Sequence, residues 1–293
     1  MIIHDNVYGK EEISEQVLTD LVISREVQRL KGISQFGLPE EYYHMPCYSR
    51  YEHSIGVMIL LRRLNASLKE QIAGLLHDAS HTAFSHTIDW VFGDPSKADF
   101  QDNSHFEFIK NSKIPLILEK HGFDYREISR LGDFSLLERE HPKLCADRVD
   151  YTLREIVLMR KKTDSDFILG SLINHNGEII FNSEKAARLF VGYYQRFNKF
   201  NWNSSRSRAR YEVLSKILKE ALAKKIISMK DLMEDDYHVI KIIKSKGDGT
   251  MLKGLEALKS SKPVETMPEK EGKPRRVDPK IIYGKTVKNL SQI

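Results

Sequence analysis

Ile72-Ala73-Gly74-Leu75-Leu76-His77-Asp78-Ala79-Ser80-His81 is the stretch on which the fold turns. Ile72, Leu75 and Leu76 recur at the i, i+3, i+4 spacing of a buried helical face, and the small Ala73 and Gly74 let a second helix come close. The spacing predicts a helix over 69–79 that stays apolar to its last turn and then ends in His77-Asp78. A charged aspartate against buried surface costs on the order of several kcal/mol unless it is paired or bound to a metal. Taken alone, the dipeptide has a simpler explanation, a capping aspartate beside a satisfied core histidine, because adjacent helical residues point in different directions. The surrounding sequence has to decide.

Working outward, Ile13, Val17, Leu21, Ile23, Val27 and Leu30 predict a helix over 11–30 that breaks at Gly32, followed by a loop marked by Gly37, Pro39 and Pro46. A helix over 50–65 carries His53 in its first turns. Downstream, Gly93-Asp94-Pro95 closes a mixed segment, and helices are expected over 105–110, 115–121 and 144–160. Asn174-His175-Asn176-Gly177 followed by Glu178-Ile179-Ile180-Phe181 predicts a small strand pair within 168–181. Helical periodicity returns over 183–200 and 208–224, with a shorter helix over 229–245. After Ser260, Lys262-Pro263 and Lys273-Pro274-Arg275-Arg276 have the composition of an arm or tail.

With 293 residues, 41% hydrophobic and 30% charged, the chain has the make-up of a self-sufficient globular protein. Its net charge of +5 favours polyanionic ligands such as nucleotides or nucleic acid. Cys47 and Cys145, the two cysteines, form neither a disulfide framework nor a paired zinc spacing. His4 and Asp5 interrupt the start of the chain where a signal peptide needs an apolar run, and no stretch reaches the length of a membrane span. The expectation is a cytoplasmic protein with no membrane partner.

Six of the eleven histidines fall between His44 and His105, several beside carboxylates. Imidazole plus carboxylate suits one divalent ion among Mn, Fe, Ni, Co, Zn or Mg. His86 and Asp89 stand i, i+3, as a proton-donating acid and its orienting carboxylate can on one helical face. Asp147, Tyr151 and Glu155 stand i, i+4, i+8 and line one stripe.

In order along the chain, Val27-Gln28-Arg29-Leu30, Gln35-Phe36-Gly37, Ser49-Arg50-Tyr51-Glu52-His53-Ser54-Ile55-Gly56-Val57, the stretch quoted first, Phe84-Ser85-His86 and Asp147-Arg148-Val149-Asp150-Tyr151 resemble the HD superfamily of metal-dependent phosphohydrolases. The likeness is to its deoxynucleoside triphosphate triphosphohydrolase branch. It implies a mainly α-helical fold, with an HD core over 1–165, a helical region with a short β-hairpin over 166–260, and a basic tail over 261–293. It also implies His53, His77, Asp78 and Asp147 as metal ligands; His86 with Asp89, His81 and His105 as catalytic residues; and Gln35, Arg50, Arg148, Tyr151 and Glu155 as substrate contacts, Tyr151 and Glu155 on the sugar side.

The chain departs from that branch in places. Phe106 stands where an acid usually follows the histidine matched by His105, with Glu107 one place later. Glu155 replaces a shorter aspartate. The region 198–211 offers Trp202, Arg206, Arg208, Arg210 and Tyr211 in place of a histidine-rich base-contacting helix, and Ile23-Ser24-Arg25-Glu26 lacks the acid of a guanine-reading regulatory site. The expected chemistry is hydrolysis of a nucleotide, with a deoxynucleoside triphosphate split to deoxynucleoside and triphosphate as the first substrate. The alternatives are a phosphomonoesterase or phosphodiesterase on nucleoside monophosphates, cyclic nucleotides or oligonucleotides, and a nucleotide or nucleic-acid binding module using Lys273, Arg275 and Arg276. A homodimer or tetramer is expected by resemblance.

Overall fold

Helix Arg50–Arg63 is the element around which the others gather. It starts where it does because Ser49 and Glu52 form a reciprocal capping box, Ser49 Oγ accepting the Glu52 amide and the Glu52 carboxylate accepting the Ser49 amide. Helix Leu68–Leu76, capped by Ser67, packs along it. The close approach foreseen at Gly74 is real: a Cβ there would stand 2.4 Å from Leu61 Cδ1. Helix Ala146–Leu158 packs against the Arg50 helix as well. In this computed structural model, which describes residues 1–97, 100–260, 275–284 and 286–293, the fold is mainly α-helical. None of the described helices is long and apolar enough to cross a membrane.

The strand pair expected near 174–181 forms as Leu172–His175 against Glu178–Phe181, antiparallel, with Asn176 and Gly177 both in the left-handed region at φ 51° and 78°. That is the backbone a two-residue hairpin turn requires.

Three regions differ from the sequence reading. The helix expected over 11–30 is shorter and broken. A hairpin, Ile2–Asp5 with Gly9–Glu12, occupies the start, because the Asp5 carboxylate accepts the amides of Val7 and Tyr8 and Gly9 turns at φ 77°. Helix Gln16–Val22 then ends, and Ser24 caps a new one at Arg25–Gln28. A helix, Gly249–Lys259, extends the helical region to the start of the basic sequence. Most consequential, the basic segment read as a tail folds back. Lys280–Tyr283 pairs in parallel with Glu178–Phe181 and antiparallel with Thr286–Asn289, making a four-stranded sheet. Val277, Ile281 and Leu290 are buried beneath it, apolar anchors that the Lys and Arg around them mask in a composition count. Residues 261–274, including Lys262-Pro263 and Lys273, lie outside the described residues.

Candidate metal centre and active site

His53 is fully buried in the first turns of its helix, and its Nδ1 lies 2.7 Å from Asp150 Oδ2. A carboxylate can only accept, so Nδ1 donates to Asp150 and Nε2 points the other way, into the centre. His77, at the C-terminal cap of helix Leu68–Leu76, does the same: its Nδ1 donates to the Gly74 carbonyl at 2.7 Å. The two Nε2 atoms then face each other at 3.3 Å, with Asp147 Oδ1 3.0 Å from His53 Nε2 and 3.8 Å from His77 Nε2. Asp78 flanks the group, Oδ1 at 3.5 Å from His77 Nε2 and Oδ2, which Arg50 holds, at 3.8 Å from His53 Nε2.

With both Nδ1 atoms committed elsewhere, the two Nε2 atoms would on neutral rings present lone pairs that converge with an Asp147 oxygen on one point, and Asp78 stands at its edge. Donors held at about 2.1 Å from one ion are themselves roughly 3.0–3.4 Å apart, which these separations approach. The residues present therefore fit a divalent cation. Without one, the same geometry works through protons. Burial pushes His77 down, but Asp78 and Asp147 outweigh it and lift the imidazole to about 9. Burial likewise opposes ionisation of Asp147, yet His53 and His77 hold its carboxyl well below the usual range. Glu138 and Cys145 also border Asp147, but burial raises the Cys145 thiol so far that it remains protonated and offers no thiolate.

The His53 partner, Asp150, is itself over-determined. It accepts Tyr8 Oη at 2.9 Å and Arg154 Nε at 2.8 Å, and Arg154 Nη2 reaches Asp5 at 2.7 Å. Gly56 makes room for this cluster: a Cβ there would meet Arg154 Nη2 at 1.9 Å and Asp150 Oδ1 at 2.1 Å. Asp150 is on the same face as Asp147, three residues on, but its role depends on a partner 97 positions away and was not assigned from the sequence.

A cavity of about 220 Å³ opens over the centre. His77, Asp78, His81, His86, Asp147, Gln35, Arg50, Arg148, Tyr151 and Glu155 all line it. Arg50 donates to Asp78 Oδ2 at 2.7 Å and to Ser85 Oγ at 3.0 Å, while its buried Nη2 has no hydrogen-bond partner among the described residues. Gln35 Oε1 is likewise buried without one. Arg148 is more fully engaged, by the carbonyls of Lys143 at 2.8 Å and Arg139 at 2.6 Å. The loop bearing Gln35 and the turn bearing His86 are tied together by buried Asp236, which accepts Ser34 N at 2.9 Å and Phe84 N at 2.6 Å. Phe84 and Ser85 sit at φ 65° and 43°, a conformation non-glycine residues rarely adopt. These bonds hold it and aim His86 into the cavity.

His86 Nδ1 donates to Asp89 Oδ2 at 3.2 Å, and Asp89 lies buried behind it, accepting Phe100 N at 3.1 Å. His81 packs edge-on to His86 and lies 3.3 Å from Asp78; burial and then Arg50 push it down to about 3, so it is neutral near pH 7. His105 is the exception among the sequence candidates. Its helix, Phe100–Lys110, buries Gln101, His105 and Ile109 behind the centre, and His105 Nδ1 meets Ser80 Oγ at 3.2 Å without lining the cavity. Glu107 does not support it, turning outward to Lys110 at 3.2 Å.

At the far end, Glu155 is pushed up to about 7 by burial, against hydrogen bonds from the Trp202 indole and from Asn201 Nδ2 at 2.8 Å. Trp202, Tyr211, Trp90, Arg208 and Arg275 complete this wall. Trp202, Arg208 and Tyr211 fit no motif in the sequence, because Asn198–Trp202 is wound as a π-turn that shifts the helical register. Arg210, from the same stretch, is buried elsewhere on the Tyr42 and Leu258 carbonyls.

The model of the HD domain family matches residues 50–158, the span that holds His53, His77, Asp78 and Asp147. The uncharacterized protein YdhJ of Bacillus subtilis is 40% identical over 262 residues, covering 88% of this chain and 80% of that protein. The metal-dependent phosphohydrolase cns2 of Cordyceps militaris is 42% identical over 166 residues, 57% of this chain and 48% of its own. A deoxynucleoside triphosphate triphosphohydrolase SAMHD1 homolog of Dictyostelium discoideum is 24% identical, and the match covers 67% of this chain and 44% of that one. The chain thus spans about half the length of these last two. Among solved structures, a phosphohydrolase from Bacteroides thetaiotaomicron superposes with a TM-score of 0.68 over all of this chain and 94% of the other at 19% identity, a likeness of fold.

Proposed function

This chain belongs to the HD-domain family, and we propose that it is a metal-dependent phosphohydrolase acting on nucleotides, with deoxynucleoside triphosphates, split to deoxynucleoside and triphosphate, as its first substrate class. The observation that carries the reading is the convergence of the His53 and His77 lone pairs with Asp147 and Asp78 on the floor of an arginine-lined cavity. His53, His77, Asp78 and Asp147 would hold the ion. When bound, a divalent ion in such a site polarises the phosphoryl group and activates water.

The chain's own residues supply the rest. Arg50, with a free buried Nη2 beside the centre, binds a phosphate oxygen. His86 donates a proton from Nε2 to the departing oxygen while Asp89 steadies Nδ1. Tyr151, one turn along the helix from Asp147, stands between the phosphates and the sugar, and Glu155, a turn further on, faces the sugar. Gln35 contributes a further sugar contact through its unpartnered oxygen.

One observation favours a second reading, a phosphomonoesterase or phosphodiesterase. Both Glu155 oxygens already accept bonds, from Asn201 and Trp202, so a sugar hydroxyl would have to compete for them. Metal-loaded protein incubated with a panel of nucleotides separates the two. Tripolyphosphate release from deoxynucleoside triphosphates is the expected result; orthophosphate or a linear monophosphate would move the assignment to the second reading. Asp147→Ala, run alongside, is expected to lose phosphate release and bound metal together while its circular dichroism melt stays within a few degrees.

A further inference from the structure

Arg50, Arg148 and Arg208 reach the cavity from helices. Arg275 reaches it from the segment that leads into the C-terminal strands, and its backbone is pinned on both sides. Asn198 Nδ2 donates to the Arg275 carbonyl at 3.3 Å, and His141 Nδ1 meets the Arg276 carbonyl at 2.6 Å. Asp278 N donates to the Pro142 carbonyl at 2.9 Å, and buried Val277 and Ile281 fix the segment beneath. The returning strands therefore deliver one side chain to a set place.

The guanidinium carbon lies 5.8 Å from the centre of the Tyr151 ring and 5.5 Å from that of Trp202. Contacts with ring faces engage a guanidinium through its flat surface, and apart from a hydrogen bond with Tyr151 they leave the N–H donors, which lie in its plane, available to an anion. Among the described residues no carboxylate forms an ion pair with it. Glu155, the carboxylate on the same wall, is occupied by Asn201 and Trp202. A cation drawn partly out of water that feels the Asp147 carboxylate only at a distance, with no carboxylate paired to it among the described residues, is an incomplete arrangement, and a ligand anion would complete it.

Its position says which one. Tyr151 stands one helical turn, about 6 Å, beyond Asp147, so an anion at Arg275 lies beside the His–Asp centre and not on it. We propose that Arg275 binds a second phosphate of the substrate, adjacent to the one held over the metal centre, and thereby selects compounds with two or more linked phosphates over simple monoesters. The inference rests on the phosphohydrolase reading for its context, but it can fail separately.

The test uses intrinsic fluorescence, since both tryptophans, Trp90 and Trp202, line the cavity. Metal-loaded wild type, Arg275→Gln and Arg275→Lys are titrated with inorganic orthophosphate and with inorganic tripolyphosphate; comparing variants cancels chelation of the ion by the polyanion. In the wild type, tripolyphosphate should bind at least tenfold more tightly than orthophosphate. Arg275→Gln should lose that advantage while its orthophosphate affinity stays within about threefold of wild type, and Arg275→Lys should recover part of it. The proposal is overturned if Arg275→Gln keeps the advantage, if it loses affinity for both anions alike, or if wild type shows no preference. A nucleotide panel with no phosphate release would instead sink the hydrolase reading and leave these titrations standing.

Discussion

His53 and His86 each turn Nδ1 toward a carboxylate, Asp150 at 2.7 Å and Asp89 at 3.2 Å, and the chemistry available to the two rings is opposite. His53 has no exposed surface, and its carboxylate is fixed by Tyr8 and by Arg154, itself anchored on Asp5. Its tautomer is locked and its lone pair is aimed at a fixed point, which suits a ligand. The His86 side chain is 40% exposed inside the cavity, and among the described residues no arginine pairs with Asp89. The far nitrogen of that ring faces the cavity, where a departing oxygen can reach it. A histidine–aspartate pair is thus a positioning device or an acid depending on what stands behind the carboxylate and whether the far nitrogen sees solvent.

The sharpest way to break this contrast is His86→Asn. A proton donor missing from the transition state lowers turnover by roughly 10²–10⁴-fold, so phosphate release should fall by that order while bound metal, measured by elemental analysis, stays at the wild-type ratio. Loss of metal in this variant would place His86 with the ligands. Asp150→Asn is the converse. It should weaken metal affinity by about 10–100-fold in a competition titration with a chromogenic chelator, and lower stability by about 3 kcal/mol, because Arg154 loses a buried partner.

Glu155 extends the comparison with a smaller effect. It shares a helix with Asp150, but Asp150 has Arg154 and Glu155 has only neutral donors bonded to it. Burial raises its pKa from an ordinary 4.5 to about 7, so the folded state holds the proton more tightly than the unfolded chain. The stability this contributes is present below about pH 4.5 and disappears as pH rises through 7. Glu155→Gln should therefore gain on wild type in thermal melts between pH 4.5 and 8, by up to about 3 kcal/mol. A constant difference across that range would show that the carboxyl ionises normally.

What could be read from the sequence follows from the range of each interaction. Capping and helical spacing are local, so the Arg50 helix, the apolar helix ending in His77-Asp78 and the Asp147–Tyr151–Glu155 stripe were all visible in short windows, and in the structure that stripe does line the cavity. The Asn176-Gly177 turn was visible for the same reason. The hub at Asp150 was not, because it joins Tyr8, His53 and Arg154 across the fold. His105 could be ranked by residue type but not by depth, which is set by Gln101 bonding to the His77 carbonyl and Ser80. Arg275 was hidden in a run of basic residues whose register is fixed by a parallel pairing of Phe181 with Ile281, a hundred positions apart.

The amino terminus takes on a different importance in this light. The Ile13 amide donates to the Met1 carbonyl at 2.8 Å, closing the small hairpin that presents Asp5 and Tyr8 to Arg154 and Asp150. Loosening this hairpin would therefore loosen an imidazole deep in the molecule, so variants altered only at Asp5 or Tyr8 should differ from wild type in how much metal they retain.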